Sequence, residues 1–97
     1  MELKKETREY LKYVRQHPCA VCSESYVEAD HLEARGLGGR GKRKGTHTGT
    51  LVDFTCIPLC PPHHRERNSK TLRDFEDKYN TNLWKINSKM VRDFYVL

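Results

Sequence analysis

IPLCPPHHRERN, residues 57–68, begins at the end of a β-forming run and turns into a helix at a cysteine. Proline suits the first helical turn, where its missing N–H would have had no partner, so Cys60-Pro61-Pro62 marks a helix start. The helix is expected to run through HHRERN to about Lys70. Cys60-x-x-His63 is half of a metal site. His64 is turned by ~100° from His63, so the two neighbours can serve different sites. His64 and Asn68 are four apart and share a face.

The matching half-site lies upstream as Cys19-Ala-Val-Cys22. Cys19, Cys22, Cys60 and His63 together supply the tetrahedral sulfur and nitrogen set that Zn²⁺ prefers. A structural zinc there would clamp the region before the first strand to the helix after the second. That matters in a chain of 97 residues, because so small a domain buries a thin core and metal binding becomes folding free energy. The gap between the half-sites is longer than in zinc fingers. Cys56, four residues before Cys60, could replace a ligand but is expected to pack inside as a small apolar group. Redox-active thiols at Cys19 and Cys22 are the competing reading, and no thioredoxin-like βαβ pattern surrounds them.

The chain reads as one domain, residues 1–97, with a core at about 19–79 and an α, β, long loop, β, α, α order. Leu3–Gln16 has a broken apolar stripe of helical period, ended by Pro18. Tyr26–Leu32 and LVDFTCI (51–57) read as strands of an antiparallel hairpin. Thr71–Tyr79 reads as a helix, Asn80–Asn82 as a turn, and Ser88–Val96 as a short helix with Met90, Val91 and Phe94 inward. The fold class is α+β.

All six glycines fall between Gly36 and Gly49, in a stretch that reads as a flexible loop. Of the net charge of +5, all resides between Glu33 and Asp53, on Arg35, Arg40, Lys42, Arg43 and Lys44; the remaining charges cancel. Such a segment suits a polyanion, and equally a solvated loop. Arg65, Arg67, Lys70 and Arg73 would extend the basic track. The segment MELKKETREYLKYVRQ lacks the apolar core of a secretory leader, and no apolar run is long enough for a membrane span. The expectation is a cytoplasmic protein with no membrane partner.

The combination CAVC…EADHLEARG…IPLCPPHHRERN…FEDKY resembles the HNH (ββα-metal) endonuclease superfamily. It looks most like the small phage and prophage HNH nucleases, the group that includes the recombination-enhancement nuclease. The resemblance covers Cys19 to Tyr79. It implies a small zinc-stapled ββα-metal domain with an N-terminal helix and a C-terminal helical extension. It implies that Asp30 and His64 hold a catalytic Mg²⁺ or Mn²⁺ and that His31 is the general base. Asn68 stands where that group usually has its last histidine and is expected as a third ligand of the catalytic metal, since an Asn carbonyl oxygen can still bind a hard cation such as Mg²⁺ or Mn²⁺. The central asparagine of the motif has no clear counterpart; Asp53 and Thr55 lie in the right loop, with Thr55 at the matching offset. The resemblance also implies DNA as substrate, a bacterial host cell if phage-encoded, and recombination or packaging proteins of phage or host as partners.

The expected function is that of a metal-dependent DNA endonuclease or nickase. The basic loop would hold DNA through its phosphates. In a regular strand Asp30 and His31 point to opposite faces, so both reach one metal only where the chain kinks. The plainer reading has Asp30 capping a turn and His31 as a surface histidine. A catalytically weak or inactive zinc-containing DNA-binding module is the alternative function, and an RNA-directed nuclease a third.

Overall fold

The computed structural model describes residues 3–33 and 51–96. In chain order these form α1 (Leu3–Arg15), β1 (Glu28–His31), a 3-10 helix (Leu51–Thr55), β2 (Cys56–Leu59), α2 (Pro61–Asn68), α3 (Leu72–Tyr79) and α4 (Leu83–Val96). The class is α+β. β1 and β2 pair antiparallel, with Glu28 opposite Leu59, Asp30 opposite Ile57 and His31 opposite Cys56. Pro58 is tolerated in β2 because a two-stranded sheet has only edge strands; its carbonyl accepts from the Ala20 N–H at 2.9 Å.

β2 is buried along its whole length and splits the core in two. Ile57 and Leu59 face one way, onto Val27, Leu32, Phe75 and Leu83. Cys56 faces the other, onto Tyr10, Val14 and Met90. The alternation is the two-residue period of a strand. Each fully buried aliphatic side chain contributes ~1.5–3 kcal/mol, so the short hairpin is held by what packs on it. α1 presents Thr7, Tyr10 and Val14 at spacings of three and four, all buried.

Two expectations about secondary structure need correction. The strand expected over residues 51–57 is a 3-10 helix as far as Thr55, and β2 starts only at Cys56. Thr55 Oγ1 closes this turn by donating to the Val52 carbonyl at 2.7 Å. Buried Asn87 then donates to the carbonyls of Phe54 (2.8 Å) and Cys56 (3.2 Å), and the Tyr10 hydroxyl donates to Cys56 at 3.0 Å. Tertiary partners thus take carbonyls that a sheet would have used. The last helix starts at Leu83 rather than Ser88. Asn82 Oδ1 accepts from the Lys85 N–H at 3.0 Å and Glu76 Oε2 from the Leu83 N–H at 2.7 Å, so both early amides are capped.

Candidate functional site

The upstream half-site is a tight turn. Cys19 N–H donates to the Glu24 carbonyl at 2.8 Å, Ser23 N–H to the Cys19 carbonyl at 3.0 Å, and Val21 N–H to Cys19 Sγ at 3.4 Å. Ser23 takes φ 67° to close it, a left-handed conformation that costs a non-glycine residue ~1–2 kcal/mol. Downstream, Cys60 is the N-cap of α2 but makes no side-chain capping bond. Its sulfur instead lies 3.1 Å from His63 Nδ1 and 3.7 Å from Cys22 Sγ. Cys19 Sγ is 3.9 Å from His63 Nδ1.

One ligand atom from each of Cys19, Cys22, Cys60 and His63 falls within 4.8 Å of the others. A tetrahedral ion ~2.3 Å from each sulfur sets sulfur–sulfur edges of ~3.8 Å, close to the Cys22–Cys60 separation. These four residues are positioned to hold a metal ion. Burial raises the Cys19 thiol, but the backbone donors of Cys60, Cys22 and Val21 outweigh it and bring the group down to about 7. Cys56 is fully buried outside the cluster, and burial pushes its thiol well up, so it is no ligand here.

His63 is braced from α3. The Tyr79 ring meets it edge-on at 5.1 Å, and the Tyr79 hydroxyl donates to the Glu66 carboxylate. Glu66 also accepts from Lys70 (2.8 Å) and Lys78 (2.6 Å). Lys70 first, then Lys78 and Tyr79, hold the Glu66 carboxyl down to about 2.

His64 faces the hairpin. Its Nδ1 is 2.8 Å from Glu28 Oε1 and its Nε2 is 3.1 Å from Asp30 Oδ1. Glu28 and Asp30 are two apart on β1 and therefore share a face. The bond to Asp30, then that to Glu28, raises the His64 pKa against the effect of burial. Arg67 is also there. It is 1% exposed, with Nε 3.4 Å from Asp30 Oδ2. Asp30 Oδ2 and Arg67 Nε and Nη1 are buried without a hydrogen bond. Asp30 is thus held between His64 at one oxygen and the Arg67 guanidinium at the other.

His31 lies on the opposite face of β1. Its Nε2 is 2.7 Å from Asp53 Oδ1, and Asp53 is 1% exposed at the centre of the 3-10 helix. The strand alternation of Asp30 and His31 therefore holds, with no kink to bring both onto one point. Among the described residues the Cys/His set is the one group of three or more metal-ligating residues whose atoms converge.

Several site residues sit differently from expectation. Asn68 is exposed at the end of α2 and makes no side-chain hydrogen bond among the described residues. Thr55, at the offset of the motif's central asparagine, turns to the Val52 carbonyl, and it is Asp53 that meets His31. Arg67 is buried rather than part of a basic surface, and Lys70 is paired with Glu66. Glu28 was missed, although its two-residue spacing from Asp30 was readable. Burial of one arginine among four basic residues had no such signal. Arg35, Arg40, Lys42, Arg43 and Lys44 lie outside the described residues. No helix among the described residues is long and apolar enough to cross a membrane.

A family model described as a protein of unknown function (DUF968) matches residues 2–95. The chain is similar to the Uncharacterized protein YdfU of Escherichia coli (strain K12), with 36% identity over 87 residues. That match covers 86% of the chain but only 23% of YdfU, so the chain spans about a quarter of this relative's length. No solved structure matches.

Proposed function

The chain belongs to the DUF968 family, and within it we propose a zinc-stapled, HNH-type, metal-dependent endonuclease or nickase acting on DNA. The observation that carries this reading is one four-residue strand with two histidine–carboxylate contacts at consecutive positions. Asp30 meets His64 at 3.1 Å, and His31 meets buried Asp53 at 2.7 Å. A purely structural zinc module has no need of either.

The roles follow from the chemistry. A carboxylate at Asp53 would accept from His31 Nε2 and so favour the tautomer with the proton there. A neutral imidazole held this way can take a proton from water as the water attacks phosphorus. Asp53 also stabilises the imidazolium that results. Asp30 and His64 would hold Mg²⁺ or Mn²⁺, which supplies positive charge for the scissile phosphate and the leaving oxygen. Cys19, Cys22, Cys60 and His63 would hold Zn²⁺, which would keep α2, and thus His64, in register with β1. A zinc there would be structural, since four protein ligands would leave no open position for a substrate.

Arg67 favours the second reading, a catalytically weak or inactive zinc-containing DNA-binding module. A guanidinium 3.4 Å from Asp30 opposes a divalent cation at the same carboxylate. Nicking of supercoiled plasmid with Mg²⁺ or Mn²⁺, repeated on His31→Ala, decides between the two. Metal-dependent nicking that His31→Ala abolishes supports the enzyme. Binding of DNA without nicking at any metal concentration supports the module.

A further inference from the structure

Helix α1 has a use that the site above does not absorb. Lys4, Arg8 and Lys12 are spaced by four and Arg15 follows by three. At ~100° per residue the four fall within about 80° of the helix circumference. All four are exposed, and none makes a side-chain hydrogen bond or ion pair among the described residues. Glu6 and Glu9 lie outside this sector. The stripe is about 16 Å long at ~1.5 Å per residue. Phosphates of one duplex strand rise ~3.4 Å each along the axis, so it can follow several of them. No aromatic ring interrupts it: Tyr10 is buried, and half-buried Tyr13 packs on His17 and Phe94. Stacking on unpaired bases is therefore not what it offers.

The stripe leads to the site. α1 packs on the 3-10 helix and on both strands. Lys4 and Arg8 line a concavity of about 280 Å³ together with Thr7, Leu11 and Asp53. Asp53 is the residue that grips His31. A strand lying along α1 would thus pass one side chain away from the proposed base.

We infer that the Lys4–Arg8–Lys12–Arg15 face of α1 binds the phosphate backbone of double-stranded DNA and guides one strand towards His31. The inference deepens the proposed nuclease reading and rests on it for the choice of DNA. The partner is recognised by charge, without reference to base sequence.

The test is fluorescence anisotropy of a labelled 20-base-pair duplex across a salt series, with no Mg²⁺ or Mn²⁺ added. One variant carries Lys4→Gln, Arg8→Gln, Lys12→Gln and Arg15→Gln. A control removes the same charge elsewhere through Lys78→Gln, Lys85→Gln, Lys89→Gln and Arg92→Gln, all exposed and none on the basic track. The α1 variant should bind at least about tenfold more weakly, with a salt slope flatter by ~3–4, near 0.9 per lost phosphate contact. The control should keep most of both. Unchanged binding in the α1 variant, an equal loss in the control, or preference for single-stranded RNA of the same length would overturn the inference. The readout is independent of cleavage. Loss of binding in the α1 variant of a protein that never nicks DNA sinks the enzyme and keeps the stripe. Nicking with stripe-independent binding does the reverse.

Discussion

His63 and His64 are sequence neighbours in the first turns of α2, yet they face different sites. His63 Nδ1 is 3.1 Å from Cys60 Sγ, and His64 Nε2 is 3.1 Å from Asp30 Oδ1. The helical rotation of ~100° per residue separates them. One short helix therefore ties the Cys/His cluster to the hairpin, and whatever disturbs the cluster must move His64.

Metal content is the first consequence. The protein should carry about one tightly bound Zn²⁺, the count a single closed Cys3His site allows. Cys60→Ser should release it and lower the melting temperature sharply or unfold the chain. Cys56→Ser should keep the metal, since Cys56 is fully buried in the other half of the core. Elemental analysis beside thermal melting reads both. Zinc lost from the Cys56 variant and kept in the Cys60 variant would reverse the ligand assignment.

Removing Asp53's charge should act through His31. Asp53→Asn keeps the side-chain size but offers an amide where the imidazole proton now points. Nicking should fall ~10–100-fold, the range for loss of such an orienting partner, with zinc content unchanged. An unaltered rate would detach Asp53 from the chemistry.

Much of this arrangement was readable from residue types. The paired half-sites at Cys19/Cys22 and Cys60/His63, the helix start at Cys60-Pro61-Pro62 and the divided duties of His63 and His64 follow from spacing and helix geometry. The strand over 51–57 was not readable correctly, because LVDFT is β-forming in isolation and becomes a 3-10 helix only when Asn87 and Tyr10, far away in sequence, capture its carbonyls and those of Cys56. Burial of Arg67 was hidden for a similar reason. A charged side chain in HHRERN looks solvent-facing until Asp30 arrives from β1.

Arg67 should be doing two opposed things. Replacing it with Met removes half of a buried pair and leaves Asp30 with His64 alone against it, and breaking such a pair typically costs up to ~3–5 kcal/mol. The same change removes a positive charge beside the proposed cation ligand. Arg67→Met should therefore melt lower without added cation, yet recover more stability than the parent chain when Mn²⁺ is added. Calorimetric melts with and without Mn²⁺ test this. Equal recovery in both chains would show that Asp30 does not meet the cation.

Glu66 gives the pH dependence. Its folded pKa of about 2 is depressed, so its contribution is fully present above the unfolded value, ~4.3, and is lost as pH falls through the folded one. Glu66→Gln should lower the melting temperature by a constant amount between pH 7 and 5. The difference should shrink steadily below ~4.3. A difference that persists undiminished at pH 3 would mean that Glu66 acts by packing, not charge.

The sharpest test separates base from ligand across β1. His31, paired with Asp53, is proposed to move a proton and bind no metal; His64, against Asp30, is proposed to bind metal. His31→Ala should abolish nicking while leaving Mn²⁺ and DNA affinity nearly intact, because only the activation of water is lost. His64→Ala should weaken metal binding, so raising the metal concentration should partly restore nicking. Asn68→His adds an imidazole one turn beyond His64. It tightens Mn²⁺ only if residue 68 reaches the cation, since imidazole suits transition metals better than an amide oxygen does. Asn68 is exposed and lies apart from the Glu28–Asp30–His64 set, so the expected gain is small, a few-fold at most against the roughly tenfold or greater change that a ligand position gives. Calorimetric Mn²⁺ titrations run beside plasmid nicking on the three variants give the answer. Metal lost with His31→Ala, and metal and activity both kept with His64→Ala, would exchange the two roles. A large gain with Asn68→His would return residue 68 to the metal site.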